Sequence, residues 1–95
     1  MPNGIEWDSA KNEENLRKHG LDFFEAQQAF LDSKRIITFD TTHSSDFEKR
    51  YFCFGMIDTL VATVRFTVRN DKIRIFGAGY WRQGKKIYEK ENKIR

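Results

Sequence analysis

A chain of 95 residues has room for one small domain with one hydrophobic core. Hydrophobic residues make up 39% and aromatic residues 15%, with nine Phe, which is enough for a packed core and excludes a disordered chain. The formal net charge of +3 suits a polyanionic partner without demanding one, since a solvated surface carries the same charge. Cys53 is the single cysteine, so no intrachain disulfide can form, and its place among apolar neighbours predicts a buried, inert thiol. There is no apolar run of transmembrane length, no repeat and no low-complexity segment, and no signal peptide is expected. A cytoplasmic protein of prokaryotic type is expected.

Ile5 and Trp7 alternate with polar Glu6 and are expected to anchor the N-terminal end on the core. Asp8 is an N-cap for a helix over Ser9 to His19, and Gly20 is a left-handed stop. Basic Arg17, Lys18 and His19 close this helix, as its dipole favours. At about 100° per residue, Lys11, Lys18, Asn15, His19 and Asn12 share a sector of about a third of a turn. An ordinary amphipathic helix gathers apolar residues into its stripe; this one gathers cations and hydrogen-bonding groups.

Asp22 starts a second helix, with Glu25 three residues on, and Phe23, Ala26, Phe30 and Leu31 give it a core face before Asp32 and Ser33 end it. The period then changes. Ile36 to Phe39 reads as a strand, Asp40 to Glu48 as a polar loop, and Tyr51 to Met56 as a second strand. Leu60 to Arg69 alternates most clearly, with Leu60, Ala62, Val64, Phe66 and Val68 on one face and Val61, Thr63, Arg65, Thr67 and Arg69 on the other. Asn70-Asp71 signals a hairpin into a fourth strand, Lys72 to Ala78, after which Gly77 and Gly79 break the pattern. Trp81 to Lys93 reads as a charged helix, with Gly84 unfavourable inside it.

This order predicts an α+β fold: two N-terminal helices, a four-stranded, mostly antiparallel meander sheet, and a C-terminal helix. One sheet face packs on the helices. The other carries Thr63, Arg65, Thr67, Arg69 and Arg74 and is expected to be partly open and basic.

With Trp7, Asp8, Lys11, Asn12, Asn15, Lys18, His19, Gly20, Phe23, Glu25 and Ala26 at these spacings, the sequence resembles the BrnT family. Asp40, His43, Ser44, Glu48, Arg50 and Gly55 extend the resemblance through the loop and second strand, and Arg74, Ile75 and Tyr88 extend it to the end. The resemblance implies one toxin domain over residues 1–95 with a RelE-like fold and a curved sheet. It implies a ribonuclease toxin that blocks translation. Its partners would be an RNA substrate and a BrnA-type antitoxin, with operator DNA reached only through the antitoxin and no membrane. Members often end the last strand with Ser-Ala-Arg; here the segment is Gly77-Ala78-Gly79, and Arg82 is the nearest later guanidinium.

RNA cleavage without a metal needs a base for the 2′-hydroxyl, an acid for the leaving 5′-oxygen, and cations for the phosphate. Imidazole titrates near neutrality, so His19 is the natural acid or base. Lys11, Arg50 and Arg82 are the candidate phosphate stabilisers, with Glu48 as a second candidate base. Lys18, Arg65, Arg69, Arg74 and Tyr88 are the candidate RNA contacts. Each has a structural alternative. His19 suits a helix C-terminus, Glu48 and Arg50 suit an ion pair, Asn12 and Asn15 suit backbone hydrogen bonds, and Tyr88 suits the core. No metal-ligand spacing, nucleotide loop or serine-nucleophile motif is present, and no cofactor is expected. A non-catalytic homologue that binds an antitoxin-like protein or nucleic acid is the alternative function.

Overall fold

The computed structural model describes residues 3–93. The elements run β1 (Ile5–Trp7), α1 (Ser9–His19), α2 (Phe23–Ala26), a 3₁₀ segment (Gln27–Leu31), β2 (Ile36–Phe39), β3 (Arg50–Ile57), β4 (Leu60–Arg69), β5 (Lys72–Gly79) and α3 (Arg82–Glu91). The α+β class is as expected, but the sheet has five strands, not four, in the order β1-β5-β4-β3-β2. The extra strand is β1, which pairs parallel to β5 with Ile5 opposite Ile73 and Trp7 opposite Ile75. Three residues carry too little alternation to announce a strand; only the distant partner defines this one. The β2–β3–β4–β5 meander is antiparallel throughout.

The second helix is also shorter than expected, because the α-helix tightens to 3₁₀ after Ala26. That brings the Ala29 backbone down onto β3 at Gly55, where a Cβ would overlap the Ala29 carbonyl oxygen. Turn chemistry follows the sequence closely. Asp8 accepts from the Lys11 N–H at 3.0 Å, Asp22 accepts from the Glu25 N–H at 2.7 Å, and Gly20 sits at φ 69°. Asn70 and Asp71 both take positive φ, the mirror-image turn that matches strand twist.

One sheet face packs against α2 and the 3₁₀ segment. Leu21, Phe23, Ala26, Ala29, Cys53, Val64, Phe66, Ile75 and Ala78 form this core, each large side chain stabilising the fold by about 1.5–3 kcal/mol. Burial pushes the Cys53 thiol up to about 12, which makes it inert as expected.

The opposite face is only half open. Phe54, Val61 and Tyr88 make a second cluster under α3. Gly84 permits that approach, since a Cβ there would overlap Thr63 Oγ1 and lie 2.9 Å from the Phe54 ring. Thr63 and Thr67 were expected on the open part and are buried instead, Thr63 beside Gly84 and Thr67 by donating to the Lys49 carbonyl at 2.6 Å. What stays open is the end of the sheet carrying the arginines.

Candidate active site

The polar stripe of α1 divides into two jobs. Asn12 Oδ1 accepts from the Phe23 N–H at 2.7 Å, fixing α1 to α2. Asn15 is buried, and its amide nitrogen donates to the Leu21 and Ala78 carbonyls, each at 2.8 Å. Its oxygen accepts from the Ala78 N–H at 3.2 Å. β1 covers the edge of β5 only as far as Ile75, so the Asn15 side chain takes over the ladder where that strand ends. This docking leaves Lys11, Lys18 and His19 exposed around a cavity of about 220 Å³ that also touches Phe76.

Cross-strand pairing aligns the sheet residues in rows that share the open face. One row is Glu6–Arg74–Thr67–Arg50, and the next is Gly77–Arg65–Phe52–Thr38. Between them β5 carries one extra residue, because Arg65 pairs with Gly77 while Phe66 pairs with Ile75. The extra residue is Phe76, and the bulge re-aims its ring. The Arg50 guanidinium lies over that ring at 4.5 Å from its centre and Arg65 at 5.1 Å. Phe76 therefore links the sheet arginines to the Lys11–His19 side of α1.

Charge balance is uneven across this group. Glu48 accepts from Arg50 Nε at 3.2 Å and from Arg69 Nη2 at 3.3 Å, so its carboxylate organises two arginines. Arg74 pairs with Glu6 at 3.1 Å. Lys18 pairs with Glu14 at 2.9 Å, and that hydrogen bond draws the Glu14 carboxyl below its ordinary value. Lys11 Nζ and the Arg65 guanidinium make no hydrogen bond or ion pair among the described residues. Two cations facing open space beside a third, half-neutralised one are ready to take an anion.

Other expected residues lie apart. Arg82, at the start of α3, borders a separate cavity of about 390 Å³ with Leu60, Tyr80 and Lys85. Tyr88 is 2% exposed, and its hydroxyl donates to Asp32 Oδ2 at 2.6 Å, so its ring packs the core. His43, in the polar loop, is fixed there: its Nδ1 lies 2.8 Å from Asp40 Oδ2. Ser44 Oγ donates to the Asp40 carbonyl and accepts from the Arg50 N–H, tying the loop to β3. Among the described residues no three His, Cys, Asp or Glu side chains gather as metal ligands.

Phe76 escaped the sequence reading. Trp81 stood out there only as an exposed aromatic that hints at a partner; its indole meets the His19 ring edge-on at 5.1 Å and 75°. A Cβ at Gly79 would stand 2.6–2.8 Å from three indole atoms, so Trp81 fills the space a side chain at 79 would need. The signal was present in Gly77 and Gly79: glycines inside a strand mark the close approach of another group. They do not end β5, which runs through Gly79.

A family model described as the ribonuclease toxin, BrnT, of type II toxin–antitoxin systems matches residues 7–84. The chain belongs to the BrnT family. The match runs from the last residue of β1 to the first turn of α3 and takes in every candidate site residue except Tyr88. Membership in this BrnT family brings an RNA target and an antitoxin partner. No curated protein matches the chain. Among the described residues no helix is long and apolar enough to cross a membrane.

Proposed function

We propose that this BrnT chain is a single-domain, RelE-like, metal-independent endoribonuclease that inhibits translation in the cytoplasm. A BrnA-type antitoxin holds it inactive, and operator DNA is reached only through that antitoxin. The observation that carries the activity is the convergence of Lys11, His19, Arg50 and Arg65 around Phe76, with Lys11 and Arg65 free of hydrogen-bond and ion-pair partners among the described residues.

In this reading Arg50, Arg65 and Lys11 hold the scissile phosphate, and Lys18, Arg69 and Arg74 guide the flanking backbone. The 2′-hydroxyl loses its proton to a base and its oxygen bonds to phosphorus. The P–O5′ bond breaks, the 5′-oxygen takes a proton from an acid, and a 2′,3′-cyclic phosphate and a 5′-hydroxyl remain. His19 is the proton-transfer group. Glu48 acts through Arg50 and Arg69, because both of its oxygens are engaged with them.

The test is cleavage of RNA in EDTA by purified protein, with cyclic phosphate ends as the product. His19→Ala and Lys11→Ala each lower the rate at least about tenfold, a threshold set below the roughly hundredfold that a proton-transfer or charge-stabilising group commonly supplies. Intact RNA under these conditions sinks the proposal.

The alternative is a non-catalytic homologue that binds an antitoxin-like protein or nucleic acid. Gly79 favours it, because indole stands there instead of a cation. Expression without the antitoxin separates the two: growth arrest relieved by the antitoxin supports the enzyme, and unimpaired growth supports the homologue.

A further inference from the structure

Beside the phosphate-facing cations lies a cavity with a different chemistry. It has a volume of about 320 Å³ and is walled by Phe39, Phe52, Phe54 and Trp81, with Thr38 and Gln83 among its polar lining. That size is at the small end of the range for small-molecule sites, about 300–1,000 Å³. Phe52 and Phe54 stack at 5.6 Å and 18°, with Phe54 buried and Phe52 half-buried, and Trp81 is 38% exposed. The Gln83 side chain is exposed and makes no hydrogen bond among the described residues.

The position of this cavity says what it would take. Thr38, Phe52 and Arg65 lie in one cross-strand row, so the aromatic wall adjoins an unpaired guanidinium. Trp81 also lines the cavity, and its indole touches His19. An apolar side chain would gain nothing from Arg65. A nucleotide would, because its base is flat and aromatic with polar edges while its phosphate is an anion. Resting on the ribonuclease reading of the neighbouring cations, we propose that this cavity receives one unpaired RNA base. The base stacks against Trp81, Gln83 and Thr38 meet its polar edge, and the attached phosphate comes to Arg65 beside His19.

Phe76 and the cations serve every nucleotide alike, whereas this pocket distinguishes bases by their edges. It is therefore the place where sequence preference would arise.

The test uses Trp7→Phe protein, which leaves Trp81 as the single tryptophan. The probes are a 2′-O-methyl oligoribonucleotide, which lacks the attacking hydroxyl and stays intact, and an abasic oligomer of the same length and charge. The first is expected to quench Trp81 fluorescence, while the abasic oligomer binds without quenching. Trp81→Ala should weaken binding of the first about tenfold and leave the second unchanged, with Trp81→Phe restoring most of the affinity. Gln83→Ala, at an exposed site, should change the ranking among homopolymers of the four bases without altering abasic binding. Binding of both oligomers without quenching, or equal losses for both in Trp81→Ala, overturns the base pocket alone. Failure of both to bind removes the RNA reading beneath it. Quenching by the antitoxin but by neither oligomer would make the cavity a protein-docking site and end the proposal.

Discussion

Asn15 reaches from the middle of a helix to bond both the N–H and the carbonyl of Ala78 in the sheet. With its bond to the Leu21 carbonyl, three hydrogen bonds depend on one buried amide. Asn15→Ala strands backbone groups out of reach of strand partners. The expected loss is about 2–4 kcal/mol in denaturant unfolding, since a buried polar group left unsatisfied costs about 1–3 kcal/mol. Lys18→Ala, on the same stripe, removes only an exposed ion pair and should change stability by less than about 0.5 kcal/mol. Equal effects from the two would refute the division of labour along α1.

Phe76 holds two guanidiniums on one ring. Phe76→Leu keeps apolar bulk but removes the ring's negative face. The two cation–π contacts, about 0.5–1 kcal/mol each, hold the guanidiniums in place, so their loss should weaken RNA binding through looser positioning. Stability should move by less than about 1.5 kcal/mol, as for a near-isosteric swap. Arg65→Ala should flatten the slope of log affinity against log salt by about 0.7, the value for one single-strand phosphate contact. An unchanged slope would mean that Arg65 meets no phosphate.

Asp32 and Tyr88 make stability depend on pH at both ends of the scale. Burial pushes the Asp32 carboxyl up, but hydrogen bonds from the Tyr88 hydroxyl and the Met56 and Lys34 N–H groups outweigh it and hold it below its usual value of 3.8. Its stabilisation is therefore complete above that value and lost as pH falls through the lower, folded one. Burial, then the bond to Asp32, pushes the Tyr88 hydroxyl from 10.0 up to about 12. That contribution is complete below pH 10 and lost as pH rises toward about 12. Tyr88→Phe should move the acid unfolding midpoint to higher pH and flatten the alkaline decline. Stability-versus-pH curves that overlay the parent at both ends would contradict this.

Gly84 opposes two effects of different size. Alanine there gains about 1 kcal/mol of helix propensity. Its methyl group also collides with Thr63 Oγ1 and the Phe54 ring, and overpacking of this kind costs about 1–3 kcal/mol or more. The collision wins, so Gly84→Ala should lower the thermal midpoint. A raised midpoint would show that α3 can lift from the sheet at no cost.

Local chemistry made α1 legible to its ends, because Asp8 and Gly20 are caps that act within one turn. The four-strand meander was legible for the same reason, through alternation and the Asn70-Asp71 turn. β1 was not, since its partner lies 68 residues away, as in the Glu6–Arg74 pair. The site was half legible. Lys11, His19, Arg50 and Arg65 declare their chemistry by residue type, but Phe76 and Trp81 gain theirs from a bulge and a helix start that place them against those residues. Asn12 and Asn15 looked like part of the chemistry on a helical wheel and prove to be fasteners.

The parallel pairing of β1 with β5 has a consequence for the order of assembly. Translation delivers α1 with Lys11 and His19 early, but the strand those residues dock against is made after every other strand. A nascent or truncated chain that stops short of Phe76 has no Phe76, no Ala78 edge for Asn15 and no Trp81. The helix that carries His19 then has no sheet edge to sit on. Because long-range contacts of this kind form late, the face that joins α1 to β5 arises only once the last strand is made.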